Sequence, residues 1–201
     1  LTPSPPQLSY LDLVLVRGDR FEMLPIAMLS AYSGIKIAHI EGGDLSGVID
    51  NKVRHAITQL ADVHFATNKE SYARLITMGT DPDKTFNLGS LDVEYANSLG
   101  INNWNEKLGH HYALVCFHPT EEENGEAIKD EFFNGVEVVH VKSNSDYGLE
   151  TGHSEFEADE YLKKLRCASI LVGNSSSFLK EASIFGIPVV NVGTRQANRL
   201  T

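Results

Sequence analysis

A chain of 201 residues and 22.2 kDa can form one large domain or two small ones, and 42% hydrophobic with 22% charged residues lies in the globular range. That composition excludes intrinsic disorder, collagen-like repeats and coiled coil. Twenty-seven acidic against 17 basic residues give a net charge of -10, which argues against nucleic acid and anionic membranes as partners but leaves room for a small phosphorylated ligand held by backbone amides and a few arginines.

Leu1–Ser9 lacks the basic and apolar parts of a signal peptide, and no apolar run approaches the roughly 18 to 20 residues of a membrane helix, so the cytoplasm is the default expectation. The missing initial Met and the Pro-rich Thr2–Gln7 lead us to expect a fragment of a longer protein. Leu11–Val16, apolar and β-branched, reads as a buried parallel strand emptying into Arg17-Gly18-Asp19. Helix-period apolar residues over Phe21–Ser33 stop at Gly34, a helix terminator. Ile35–Ile40 is the next strand, followed by the Gly-rich Glu41–Gly47 and a helix over Asp50–Ala61. Val63–Ala66 reads as a strand, Lys69–Met78 as a helix ended by Gly79, and Thr85–Leu88 as a strand before Gly89-Ser90. Such alternation predicts a parallel sheet covered by helices on both faces, with functional loops at the carboxyl ends of its strands.

After the polar Asp92–Gly109 the pattern restarts with the strand Tyr112–Phe117, running into His118-Pro119. The restart predicts two α/β domains, residues 1–98 and 99–201. Val136–Val141 is a strand leading to Lys142–Asp146, and Glu155–Leu165 a helix. Ser169–Val172 is a strand ending in Gly173–Ser177, Phe178–Phe185 a helix closed by Gly186, and Val189–Val192 a last strand before Gly193. Cys116 and Cys167 sit in or beside apolar runs and read as buried thiols of a reducing compartment.

Gly173–Ser177 lies between a strand and a helix, where first-turn amides point outward, the helix dipole is positive and three hydroxyls are at hand. It is a candidate phosphate cradle, with a plain N-cap at Ser175 or Ser176 as the alternative. Glu181, a turn into that helix, is a candidate acceptor for ribose hydroxyls or else a solvated helix carboxylate. Asp19, Glu41 and Asp50 form a second constellation, the first two just past the ends of successive strands and the third at the next helix start. Carboxylates sharing a cleft repel one another, which raises at least one pKa and supplies an acid and a base near neutrality. Arg17, Arg20 and Arg54 lie close in sequence and could instead make the cluster a structural ion-pair network. His118 is the histidine best placed for titrating chemistry, whereas His55 and His64 read as helix or core residues.

There is no HExxH, no paired CxxC, no Asp-rich calcium loop, no Walker A sequence and no GxGxxG opening a helix, so metal, nucleotide triphosphate and dinucleotide redox chemistry are disfavoured. A GxSxG elbow is also absent.

Val16-Arg17-Gly18-Asp19-Arg20, His39-Ile40-Glu41-Gly42-Gly43-Asp44, Ile49–His55, Phe117-His118-Pro119, Gly173-Asn174-Ser175-Ser176 and Gly193-Thr194-Arg195-Gln196 together resemble the hydrolysing UDP-N-acetylglucosamine 2-epimerases, in order, over about residues 11 to 199. The resemblance implies a glycosyltransferase-B-like fold of two Rossmann-like domains around a nucleotide sugar, without metal or redox cofactor. It implies elimination of UDP across C1 and C2 to a glycal, then hydration with inversion at C2, giving N-acetylmannosamine and UDP for sialic acid or capsule synthesis. A close branch uses UDP-diacetylbacillosamine. On this resemblance Asp19, Glu41 and Asp50 fall on the catalytic carboxylates and His118 on the active-site histidine. Ser175 and Ser176 fall on the phosphate-binding serines, Glu181 on the ribose-binding glutamate, Arg195 on an arginine near the diphosphate, and Asn144 on a nucleotide-pocket position. A homodimer or homotetramer is the implied assembly.

The family's upstream strand and loop with a diphosphate-binding arginine, and its closing helix, have no counterpart here, so an exposed sheet edge is expected. The stretch from His118 to Gly173 also reads short, as though a helix were missing near Glu123–Phe132 or around Gly152. The competing readings are a non-hydrolysing epimerase, which keeps UDP on its product, a sugar transferase of the same architecture, and a non-catalytic nucleotide-sugar-binding module.

Overall fold

The computed structural model describes residues 11–46, 49–99, 112–119, 128–141 and 156–197. The chain divides into two compact units, Leu1–Leu91 and Asp92–Thr201. The loop expected at Lys142–Asp146, and the surroundings of Glu123 and Gly152, lie outside the described residues.

In the first unit the order is β1 (Leu13–Arg17), α1 (Met23–Tyr32), β2 (Lys36–Ile40), α2 (Asp50–Leu60), β3 (Val63–Ala66), α3 (Lys69–Thr77) and β4 (Thr85–Asn87). Among the described residues these strands form one parallel sheet in the order β1-β2-β3-β4. Asn68 starts α3 by accepting a hydrogen bond from the Ser71 amide at 2.8 Å, while α1 starts without a side-chain cap. Val16, Ala27, Ile37 and Ile57 are fully buried together, joining β1 and β2 to α1 and α2. Along β1 the side chains alternate: Val14 and Val16 pack into this core, whereas Leu13 and Leu15 remain exposed on an edge strand, so the expected cover on both faces is not met there.

The second unit holds α4 (Leu91–Ser98), β5 (Tyr112–Cys116), a 3-10 turn at Asp130–Phe133, β6 (Glu137–His140), α5 (Ala158–Cys167), β7 (Ile170–Gly173), α6 (Ser176–Phe185) and β8 (Val189–Asn191). Helix α4 lay undivided in the polar stretch of the sequence. Its Ala96 packs against Leu162, Ile184 and Phe185, so α4 packs with the second unit, and the division falls just after its first residue, Leu91, rather than after residue 98. Asp159 and Glu160 in the first turn of α5, with Lys164 and Arg166 in its last, complement the helix dipole. Helix α6 ends on Gly186, whose φ of 64° is the left-handed conformation that glycine adopts without strain.

The second sheet is parallel throughout, in the order β6-β5-β7-β8. From β5 the chain goes to one side, to β6, and then returns to the other, to β7. The strand order therefore reverses between β5 and β7, where open α/β sheets leave a crevice beyond their carboxyl ends. Phe178, fully buried with Leu114, Leu165 and Leu171, packs the first turn of α6 beside that crevice.

His39 on β2 and His64 on β3 are register partners and both are buried. Burial holds both imidazoles below the usual histidine value, and His64, with His39 beside it as the second cause, falls to about 4. An unfolded chain takes up these protons near pH 6.5, so stability falls as the pH drops from there toward 4 and is insensitive to these groups above that window. His64→Leu is expected to retain the fold and to take up about one proton fewer on unfolding near pH 5. Chemical denaturation across pH 4 to 7 checks this, and an unchanged proton uptake would refute it.

Candidate functional site

The first unit gathers acid and base groups at the carboxyl ends of β1 and β2. Gly18, with φ of 76°, donates its amide to the Ile40 carbonyl at 2.9 Å and accepts at its own carbonyl from His39 Nε2 at 3.0 Å. A carbonyl only accepts, so His39 carries its proton on Nε2 and its Nδ1 accepts from the Thr58 hydroxyl at 3.1 Å. One buried, neutral imidazole thus ties the Asp19 loop to both β2 and α2.

Asp19 pairs with Arg54, a guanidinium only 2% exposed that also donates to the Asp44 carbonyl at 2.7 Å and to Asn51 Oδ1 at 2.8 Å. Glu41 receives both Nε and Nη2 of Arg17 on Oε1, at 3.0 and 2.8 Å. Asp50 opens α2 one turn before Arg54, on the same helix face. The ion-pair reading of this cluster and the acid-base reading therefore describe the same side chains: Arg17 and Arg54 offset the repulsion between carboxylates that adjacent strand ends bring together. Arg20 pairs with Glu22.

The backbone at Glu41 is left-handed, with φ of 67°, a conformation that costs a non-glycine residue about 1 to 2 kcal/mol. Its amide is held by the Phe65 carbonyl at 2.9 Å. Gly43 follows with φ of 81° and passes so close to α3 that a Cβ there would lie 2.3 Å from the Ser71 carbonyl oxygen. Asp44, by contrast, is structural: its Oδ1 accepts from Thr67 and Ser71 hydroxyls at 2.7 and 2.6 Å.

The second unit builds its site at the β5/β7 reversal. Gly173 has φ of 146°, and a Cβ there would meet the Cys116 carbonyl oxygen at 1.8 Å, so only glycine lets the two strand ends approach. Asn174, fully buried, then accepts from the His118 amide at 2.6 Å and donates to the His118 carbonyl at 2.8 Å. The Cys116 thiol lies 3.6 Å from His118 Nε2. The Asn174 carbonyl in turn accepts from Arg195 Nη1 at 3.1 Å and Gln196 Nε2 at 2.8 Å.

Ser175 occupies the N-cap position of α6 yet makes no capping bond; its hydroxyl lies 3.1 Å from that of Ser177. The plain N-cap alternative is thereby set aside for Ser175. Ser176 begins α6, and Glu181 is 8% exposed, not solvated. The structure thus places His118 just after β5, Ser175 at the N-cap of α6, Ser176 and Glu181 within α6, and Arg195 in the segment after β8. Asn144 lies outside the described residues. The sequence motifs contain Asn174, Gln196 and His39, but no site role was read for any of the three. Among the described residues no three His, Cys, Asp or Glu side chains gather as a metal site, and no helix is long and apolar enough to cross a membrane.

A model of the UDP-N-acetylglucosamine 2-epimerase family matches residues 7–147. The chain is 31% identical over 215 residues to the UDP-N-acetylglucosamine 2-epimerase of Neisseria meningitidis, covering 94% of this chain and 57% of that one. It is 32% identical over 219 residues to the UDP-N,N'-diacetylbacillosamine 2-epimerase (hydrolyzing) of Legionella pneumophila, covering 92% and 57%. The chain therefore spans a little over half the length of these curated relatives. Among solved structures it resembles the UDP-GlcNAc 2-epimerase of Methanocaldococcus jannaschii in complex with UDP-GlcNAc and UDP, at a TM-score of 0.73 and 19% identity, covering 90% of this chain and 59% of that one. This likeness shows the fold, two Rossmann-like α/β units of the glycosyltransferase-B type. The family model matches well over half of the chain, and the chain belongs to the UDP-N-acetylglucosamine 2-epimerase family.

Proposed function

We propose that the chain carries the catalytic residues of a hydrolysing UDP-N-acetylglucosamine 2-epimerase, which turns UDP-N-acetylglucosamine and water into N-acetylmannosamine and UDP. The observation that carries this reading is the pair of arginine-held carboxylates, Asp19 and Glu41, on adjacent strand ends. One carboxyl group takes the proton from C2 as the C1–O bond breaks and UDP leaves, giving a glycal. Water then adds across the double bond, its hydroxyl to C1 and a proton to C2 from the opposite face. Asp19, Glu41 and Asp50 share these proton transfers. Every step moves protons and one leaving group, so the route itself calls for no redox partner.

In the second unit, first-turn amides of α6 with the Ser175 and Ser176 hydroxyls and Arg195 suit a diphosphate. His118 is the group we assign to assisting its departure, and the buried Glu181 carboxylate suits ribose hydroxyls. The Gly42-Gly43-Asp44 run after Glu41 and the Gly173–Ser176 run favour the hydrolysing branch over the one that retains UDP. Similarity of 32% to a relative named for UDP-N,N'-diacetylbacillosamine makes that sugar the second candidate substrate.

Incubation with each UDP-sugar is expected to release free UDP, together with N-acetylmannosamine from UDP-N-acetylglucosamine. A product still bearing UDP would replace the hydrolysing reading with the non-hydrolysing one, and no consumption of either sugar would overturn the enzyme reading. Asp19→Asn is expected to lower turnover by about 10² to 10⁴-fold, the usual contribution of a positioned acid or base, with the Kd for UDP changed less than about twofold. Full turnover in this variant would remove Asp19 from the chemistry. Ser175→Ala should weaken UDP binding by about tenfold, as read by calorimetry, because it deletes a hydrogen bond to a charged group.

A further inference from the structure

Resting on the diphosphate reading of the α6 mouth, we propose that Tyr161 is a positioning residue for that site: its hydroxyl donates to Ser177 Oγ and, through Ser177, aims the Ser175 hydroxyl at a phosphate oxygen. Tyr161 belongs to α5, outside every motif that marks the site, and its hydroxyl meets that of Ser177 directly. Ser177 Oγ lies 3.1 Å from Ser175 Oγ, so three hydroxyls form one line from the core of the unit to the N-cap of α6.

Two features give the line a direction. The Tyr161 ring packs against the cluster of Leu114, Leu165 and Phe178, and burial outweighs the opposing pull of the Ser177 and Ser175 hydroxyls and, with Glu181 and Cys116 adding to it, holds the phenol well above its usual value and hence protonated. A diphosphate offers oxygen acceptors and no donors at neutral pH, so a bound ligand orders the protons in the sense Tyr161 to Ser177 to Ser175 to phosphate. The line also accounts for a serine at an N-cap that does not cap. With Ser175 Oγ engaged by Ser177, it leaves the first-turn amides of α6 to the anion.

The chain of hydroxyls makes a specific demand on paired substitutions. Tyr161→Phe keeps the ring and its packing, and is expected to raise the Kd for UDP about five- to tenfold. Ser177→Ala should do the same, and the double variant should bind no more weakly than the weaker single one, because either change breaks the same line. Calorimetric titration of UDP into the wild-type protein and the three variants reads all four corners, with thermal unfolding of each as the check on packing. A wild-type Kd in Tyr161→Phe, or losses that multiply in the double variant, would overturn the positioning role while leaving the diphosphate reading intact. Failure of the wild-type protein to bind UDP would instead sink that reading and the inference with it.

Discussion

Two hydrogen bonds between the Asn174 side chain and the backbone of His118 tie the end of β5 to the start of α6. An amide side chain with one donor and one acceptor satisfies both main-chain groups of His118, so the tie between β5 and β7 continues beyond Cys116 and Gly173 where the strands have already ended. The position requires Gly173, whose missing Cβ lets the strands close. It also spends the Asn174 side chain entirely on backbone, leaving its own carbonyl to collect Arg195 and Gln196 from the segment after β8. A histidine, an arginine and the start of a helix are held to one another through a single buried residue.

The first unit solves a different problem by a similar means. Its carboxylates would repel one another at the ends of β1 and β2, and burying them unpaired would be costly. Arg54 is buried more completely than any other charged side chain among the described residues, and its donors are met by Asp19, Asp44 and Asn51. A cation so fully satisfied acts as a fixed counter-charge rather than as a ligand-seeking group. The left-handed Glu41 is the matching strain on the other side, held in place by Phe65 and Arg17.

Strand-helix alternation was legible because the buried strands are short apolar runs and α1, α3 and α6 are each followed by a glycine, Gly34, Gly79 and Gly186. The strand-end rule applied to that alternation singles out Asp19, Glu41, His118 and Ser175, which do follow the ends of β1, β2, β5 and β7. Three things escaped it. Helix α4 has no strong apolar stripe, and Ala96 becomes core only because Leu162 and Phe185 come to it from elsewhere in the chain. Gly42 and Gly43 look interchangeable in sequence, yet Gly43 is needed for its positive φ and its close pass over Ser71, while a Cβ on Gly42 would press on His39 Nδ1 at 3.0 Å; the left-handed residue before them is Glu41. Asn174 and Tyr161 act through partners 56 and 16 residues away in sequence, and no local pattern encodes such pairs.

The acidity of the chain bears on how an anion is held. With 27 acidic and 17 basic residues the long-range field does not attract a diphosphate. The best placed arginines of the first unit are already committed to Glu41 and Asp19. What remains in the second unit is short-range: helix amides, hydroxyls and Arg195 at the β5/β7 reversal, each effective only at hydrogen-bond distance and only if correctly aimed. On the proposed diphosphate reading such a site depends on aim more than on charge, which gives the proposed orienting groups, the Asn174 side chain and the Tyr161 hydroxyl, as much weight as those that would touch the ligand.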